Sequence, residues 1–182
     1  MNTTVSRRPA ASEFGGHTYY QELAGRVMGD DILQIFRDQM TLLCNSASNV
    51  GTDQIDTVHA PYQWTIRQVY SHLADSERIF GYRMLRIAAG DPAPHLSWDE
   101  QQYGDSRFGM GGKLSWLIEE IGLLRQANIR LLQRLRPNAW DRFGNVSGNS
   151  INVRGLAWVL AGHMEHHLQI VISRSQTPPS EN

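Results

Sequence analysis

The sequence predicts an all-α protein, a four-helix bundle, on three observations. Four segments repeat apolar residues at intervals of three and four over lengths that only helices reach comfortably. Cap and stop residues mark their ends, and the links between them are long enough to cross a bundle end. With 182 residues, 41% of them hydrophobic and 19% charged, the chain supports one domain with a sizeable core and is short for two. Residues 1–15 and 175–182 are polar and aperiodic, which predicts flexible tails around a bundle domain spanning 16–174.

The first helix is expected from about Asp30 to Ser46, with Ile32, Ile35, Phe36, Leu42 and Leu43 as apolar positions and two aspartates at its favourable N-terminal end. The second is expected from Thr65 to Ala89. Thr65 and Gln68 fit a capping box, and Gly90 followed by Pro92 supplies the stop. The third is expected from Lys113 to Arg136, on Leu114, Leu117, Ile118, Ile121, Leu124, Leu131, Leu132 and Leu135, with Pro137 ending it. The fourth runs from Asn152, read as an N-cap, to Arg174. The links 52–64 and 91–112 are long and rich in Gly, Pro and aromatic residues, which permits crossover connections rather than a plain up-down-up-down order.

A formal net charge of -1 argues against a nucleic-acid partner. No apolar run approaches the roughly 20 residues that span a bilayer, and residues 1–12 lack the apolar core of a secretory signal. A cytoplasmic protein with no membrane partner is the expectation. The one cysteine, Cys44, excludes an internal disulfide, and its place in the apolar run Met40–Cys44 reads as a small core residue.

The chemistry concentrates in Gly162-His163-Met164-Glu165-His166-His167, where His163 and His167 stand one turn apart on a helix. Residues four apart have β-carbons about 5–6 Å from one another, so both rings can converge on one ion. His72, on the stripe Val69, His72, Ser76, Ile79, Arg83 of the second helix, is the candidate third ligand. Neutral imidazole suits zinc and also nickel, iron and copper, and three histidines leave coordination positions open for water or a substrate thiolate. The competing reading is three core histidines satisfied by neighbours. The pair is not a zincin motif, because Met164 stands where that motif needs its glutamate.

Asp75, Glu77 and His166 are candidates for orienting the ligands, since carboxylates commonly fix metal-bound imidazoles; the other reading of the two carboxylates is ion pairing with Arg78 or Arg83. Arg83 is also the candidate for meeting an anionic substrate. His17, His59 and His95 fall in loops or near the terminus without a spacing signal. Trp98, Tyr103 and Phe108, with Gly109-Met110-Gly111-Gly112, are candidates for a wall over a pocket.

The chain resembles the DinB-like superfamily of small metal-binding four-helix bundles, which includes low-molecular-weight thiol transferases and mycothiol-dependent isomerases. The likeness lies in Tyr62–Arg78, in Tyr82–Asp91, and in Val153–Leu156 leading into Ala161–His167. It implies that His72, His163 and His167 are a metal triad holding zinc, nickel or another divalent ion. It also implies an up-down-down-up bundle and frequent homodimerisation. The function expected is a metal-dependent enzyme that activates a low-molecular-weight thiol for transfer to a small electrophile. The alternatives are a metal-dependent hydrolase and a noncatalytic metal- or ligand-binding dimer.

Overall fold

Local chemistry sets the helix boundaries. The computed structural model of the chain describes residues 5–58, 61–106 and 111–176. After a 3-10 turn at Ala11–Phe14 come α1 (Thr18–Gly25), α2 (Ile32–Ser48), α3 (Ile66–Ala89), α4 (Glu100–Asp105), α5 (Leu114–Gln133), α6 (Pro137–Trp140), β1 (Phe143–Val146), β2 (Asn149–Asn152) and α7 (Val153–Ser175). Asp31 caps α2 by accepting from the Leu33 N–H. Thr65 and Gln68 close a capping box at the start of α3, at 3.1 and 2.8 Å. Gly90 takes the left-handed conformation (φ 82°) that ends α3. Asn152 caps α7 by accepting from the Gly155 N–H.

The bundle is α2, α3, α5 and α7, and its polarity is up-down-down-up. Ser46 near the end of α2 meets Tyr70 near the start of α3, hydroxyl to hydroxyl at 2.9 Å, so these helices are antiparallel. Along α3 and α5, Arg78 pairs with Glu120 and the later Gly81 backs onto the later Asn128, so the pair is parallel. The Trp64 carbonyl, just before α3, accepts from Arg174 near the end of α7, and Phe80 stacks near His163, so α7 returns upward. The link 90–113 is the crossover that a parallel α3 and α5 require, and the link 49–65 crosses one end of the bundle between antiparallel α2 and α3.

Three expectations from sequence need correction. The third long helix ends at Gln133 rather than Arg136, and Pro137 opens the short α6 at its first position, where a missing N–H costs nothing. Residues 5–15 are not a free tail. Glu13 and Phe14 are buried against the hairpin and α7, and the Trp158 indole donates to the Arg7 carbonyl at 3.0 Å. Cys44 is exposed, because α2 turns Ile32, Ile35, Phe36, Gln39, Leu43 and Ser46 inward and Cys44 lies about 100° around from Leu43.

The structure also adds a two-stranded hairpin, β1 against β2 with Val146 opposite Asn149. Its turn places Ser147 and Gly148 at φ 53° and 86°, the paired left-handed residues that hairpin twist favours. Buried Val146 and Ile151 close the lower core. The hairpin also holds the second crossover, through His95 N–H to the Asn145 carbonyl and Ser147 N–H to the His95 carbonyl, each 2.8 Å.

From Val153 to Met164 every residue of α7 is buried. A helix surrounded in this way must bring its neighbours close. Gly162 permits that, since a β-carbon there would collide with the Leu23 carbonyl at the end of α1. The apolar core falls into two clusters. A lower one surrounds Phe36, Trp140 and Trp158, and an upper one surrounds Ile66, Tyr70, Leu73, Ile121 and Leu168.

Two ion-pair systems fasten the frame. Arg154 on α7 pairs with Glu13 and with Asp141, the latter at 2.7 Å. Burial alone would raise the Glu13 pKa. Hydrogen bonds from Asn152, the Ala10 N–H, Arg7 and Arg154 outweigh that and hold it at about 2, below the usual 4.5. A depressed carboxyl contributes stability above its unfolded pKa and loses it as pH falls through the folded one. Glu13→Gln should therefore lower the unfolding free energy at about pH 7 by roughly 1.5–3 kcal/mol. The gap should narrow steadily between about pH 5 and pH 2. Guanidinium titrations of both proteins across that range decide it, and a pH-independent gap would remove the carboxylate from the account.

The second system is fully buried. Arg125 on α5 pairs with Glu77 on α3 at 2.5 Å, donates to Gln39 on α2 at 3.0 Å and to the Met164 sulfur at 3.2 Å, and lies over the Phe36 ring. Burial pushes the Glu77 carboxyl up, while Arg125 and Asn128 pull it back. Such a pair adds little against an apolar replacement, but half of it is costly. Arg125→Met should destabilise by about 3–5 kcal/mol, and adding Glu77→Leu should recover most of that loss. A double-mutant cycle in urea measures this; additive losses would mean the two side chains act independently.

Candidate metal centre

The site lies between the two apolar clusters, where α3 faces α7. His72 projects from α3 at 3% exposure, and His163, at 7%, and half-buried His167 project from successive turns of α7. The ring centroids stand 4.8, 4.7 and 4.5 Å apart, and the ligating nitrogens all lie within 4.8 Å of one another. His72 Nε2 faces His163 Nε2 at 2.9 Å, within hydrogen-bond distance, the tautomers setting which ring donates. The three residues that spacing singles out are thus brought to one point.

Electrostatics keep the rings neutral. Burial, then His166, pushes the His72 pKa down to about 4. Burial, then His72 and His166, takes His167 to about 2. His163 falls well below the usual value through burial and then the other two rings. Near neutral pH each imidazole therefore offers a lone pair. The Nδ1 atoms of all three have no hydrogen-bond partner among the described residues. Three convergent neutral imidazoles with unanswered nitrogens are a donor set that fits a divalent ion such as zinc or nickel.

The second crossover covers the site. Trp98 stacks on His72 with centroids 5.6 Å apart and planes 7° apart, and Trp64 tilts against the same ring. Glu100, the first residue of α4, brings its carboxylate to 4.0 Å from His72 Nε2 while remaining exposed. Gln68 of the capping box donates to the Gly104 carbonyl at 2.7 Å and holds α4 down. One cleft reaches the triad at His167 and another at His163. One, about 270 Å³, is lined by Tyr62, Trp64, Gln101, His167 and Arg174. The other, about 240 Å³, is lined by Tyr20, Ser76, Arg83, Trp98, Glu100 and His163.

The candidate orienting residues divide. His166 stands beside His167, centroids 5.0 Å apart. Glu77 meets Arg125 and Asn128, not a histidine and neither Arg78 nor Arg83, because its side chain leaves α3 toward α5. Asp75 lies 4.0 Å from Arg78 and lines a cavity of about 490 Å³ between α3 and α5 that none of the three histidines touches. Arg83 is buried beside Ser76 in the His163 cleft.

Of the expected aromatic wall, Trp98 is in place and Tyr103 packs edge-on against it; Phe108, Gly109 and Met110, like His59, lie outside the described residues. His95 is buried against the hairpin, and His17 caps α1 through Nδ1. Glu100 and Tyr20 carry no helical-stripe signal. The acidic pair Asp99-Glu100 opening a short helix is the one local hint of the former.

A model of the DinB superfamily matches residues 35–171, three quarters of the chain and all four bundle helices in whole or part. A protein of Oceanobacillus iheyensis bearing the name "putative metal-dependent hydrolase" is 27% identical over 154 residues, 84% of this chain and 88% of its own length. The solved structure of YfiT from Bacillus subtilis, described as "a probable metal-dependent hydrolase with an unusual four-helix bundle topology", superposes with a TM-score of 0.73. That match covers 80% of this chain and 84% of YfiT at 20% identity, a likeness of fold. With its four bundle helices in the matched region in whole or part, the chain belongs to the DinB superfamily.

Proposed function

We propose that the chain is a divalent-metal-dependent hydrolase of a small molecule, with His72, His163 and His167 holding the ion. The observation that carries this is the convergence of three neutral imidazoles, with no carboxylate among them, at the junction of two clefts. When bound, a divalent ion with open positions lowers the pKa of a water to about 7 and polarises a carbonyl or phosphoryl oxygen. Because the three histidines are neutral, they cancel none of that positive charge themselves. Trp64, Trp98 and Phe80 narrow the approach and exclude bulk water around the rings. Glu100, exposed at the mouth, is the carboxylate placed to take a proton there at Oε2. The names borne by the Oceanobacillus iheyensis protein and by YfiT support the hydrolytic reading.

One observation favours a second reading, transfer of a low-molecular-weight thiol. The two clefts reach the triad at different rings, His167 and His163, which leaves room for a thiol in one and an electrophile in the other. A thiol near the ion would lose its proton more readily and gain nucleophilicity.

Untagged protein should carry about one divalent ion per chain by elemental mass spectrometry, as three-ligand catalytic sites do. His72→Ala, His163→Ala and His167→Ala should each lose it. A panel of esters and amides, run with and without added thiol, then separates the readings. Turnover without thiol that vanishes in the three variants supports hydrolysis, and conjugate formed only with thiol moves the assignment to transfer. Native protein that stays metal-free after incubation with zinc and with nickel ends both.

A further inference from the structure

Arg83 is a buried cation without a counter-ion. It is 5% exposed, its guanidinium donates from Nη2 to the Leu96 carbonyl at 2.8 Å, and it lies 5.7 Å from the centroid of the Phe80 ring. It enters no ion pair among the described residues, whereas the comparably buried Arg125 and Arg154 each meet a carboxylate. A guanidinium stays charged in a protein, and leaving its charge buried and unpaired is costly. The compensation must come from what enters the cleft it lines.

That cleft, about 240 Å³, also holds Ser76, whose buried hydroxyl has no hydrogen-bond partner among the described residues, and it reaches His163. Its own carboxylate, Glu100, is 4.0 Å from His72 and makes no ion pair with Arg83. We propose that Arg83 and Ser76 form an anion subsite beside the triad, and that the substrate is a small organic anion, a carboxylate or phosphate ester. Arg83 grips the anionic end through its planar fork, Ser76 donates its hydroxyl hydrogen, and Trp98 flanks the apolar body. The cleft is smaller than the roughly 300–1,000 Å³ that drug-sized ligands need, which restricts the occupant to a compact molecule. The placement of its reacting end next to the ion rests on the function proposed above; the anion binding does not.

The test is calorimetric titration of benzoate, phenyl phosphate and the uncharged benzamide into the full chain, both chelator-stripped and zinc-loaded. At least one anion should bind about tenfold or more tighter than benzamide, the effect of one charge-assisted contact, with the tighter of the two naming the group. The preference should persist in stripped protein, disappear in Arg83→Met and weaken in Arg83→Lys, which keeps the charge and loses the fork. Ser76→Ala should weaken it severalfold. Anion and amide binding alike would overturn the subsite. So would a preference that needs zinc and ignores Arg83→Met, because carboxylates bind zinc directly. Melting curves check the fold of each variant. If Arg83→Met does not fold, unchanged affinity in both Arg83→Lys and Ser76→Ala overturns the proposal equally. A chain that takes up no zinc yet shows Arg83-dependent anion binding would separate failure of the metal reading from success of this one.

Discussion

The constraint on which the structure depends is that the first half of α7 has no solvent face. Every polar group on it must find its partner inside the protein, and the rest of the fold is arranged to provide them. Arg154 draws in Glu13 and, with it, the N-terminal segment. The Ala161 carbonyl, its N–H partner four residues on notwithstanding, also accepts from Gln39 of α2 at 2.8 Å. The Met164 sulfur accepts from Arg125 of α5. His163 meets His72 of α3, ring nitrogen to ring nitrogen. Three of these partners come from the other three bundle helices, so the central helix fixes their relative height as well as their packing.

These contacts form a polar layer between the two apolar clusters. Gln39, Glu77, Arg125 and Asn128 form one bonded group in it and the three histidines another. Arg125 spans the layer from Glu77 to Met164, next in sequence to His163. The triad is thus mounted on two long helices whose neighbouring turns are locked by buried bonds, the support a preorganised site needs. It is a crossover, not a helix of the bundle, that lays Trp98 and Glu100 over the rings.

Much of this was legible before the coordinates. The capping chemistry of Asp31, Thr65, Gly90 and Asn152 is local, so the helix starts and the stop at Gly90 can be read from a few residues each. His72, His163 and His167 were legible because helical spacing converts sequence distance into direction. The failures were also physical. Cys44 was misplaced because an apolar run does not reveal which face turns inward, whereas the period through Ile35, Gln39, Leu43 and Ser46 does. Glu77 reads from sequence as a residue that orients a ligand or pairs with Arg78 or Arg83, whereas its partner Arg125 is 48 residues away and only tertiary packing brings them together. The hairpin escaped because its strands are four residues each, too short for a period of two to stand out, although Ser147-Gly148 is a turn signal. Glu100 and Tyr20 lie on segments whose position over the site is decided by the crossover and by the docking of α1, neither of which has a local signature.

The distribution of charge separates structural from functional roles. Buried arginines cost desolvation, and the fold offsets that at Arg125 with Glu77 and at Arg154 with Glu13 and Asp141. Both of those are frame contacts, away from either cleft at the triad. Around the histidines the pattern reverses: the ligands are neutral, the buried guanidinium of Arg83 is unpaired, and the carboxylate of Glu100 sits exposed at the rim rather than neutralising it. An ion held by neutral imidazoles would add two further positive charges to that environment. A site organised this way gains nothing from a neutral occupant and is relieved by an anionic one, because only an anion answers the charges that the protein leaves unmatched. On the anion subsite proposed above, this imbalance is what gives the cleft its selectivity, and it is located at Arg83, in the cleft that reaches His163.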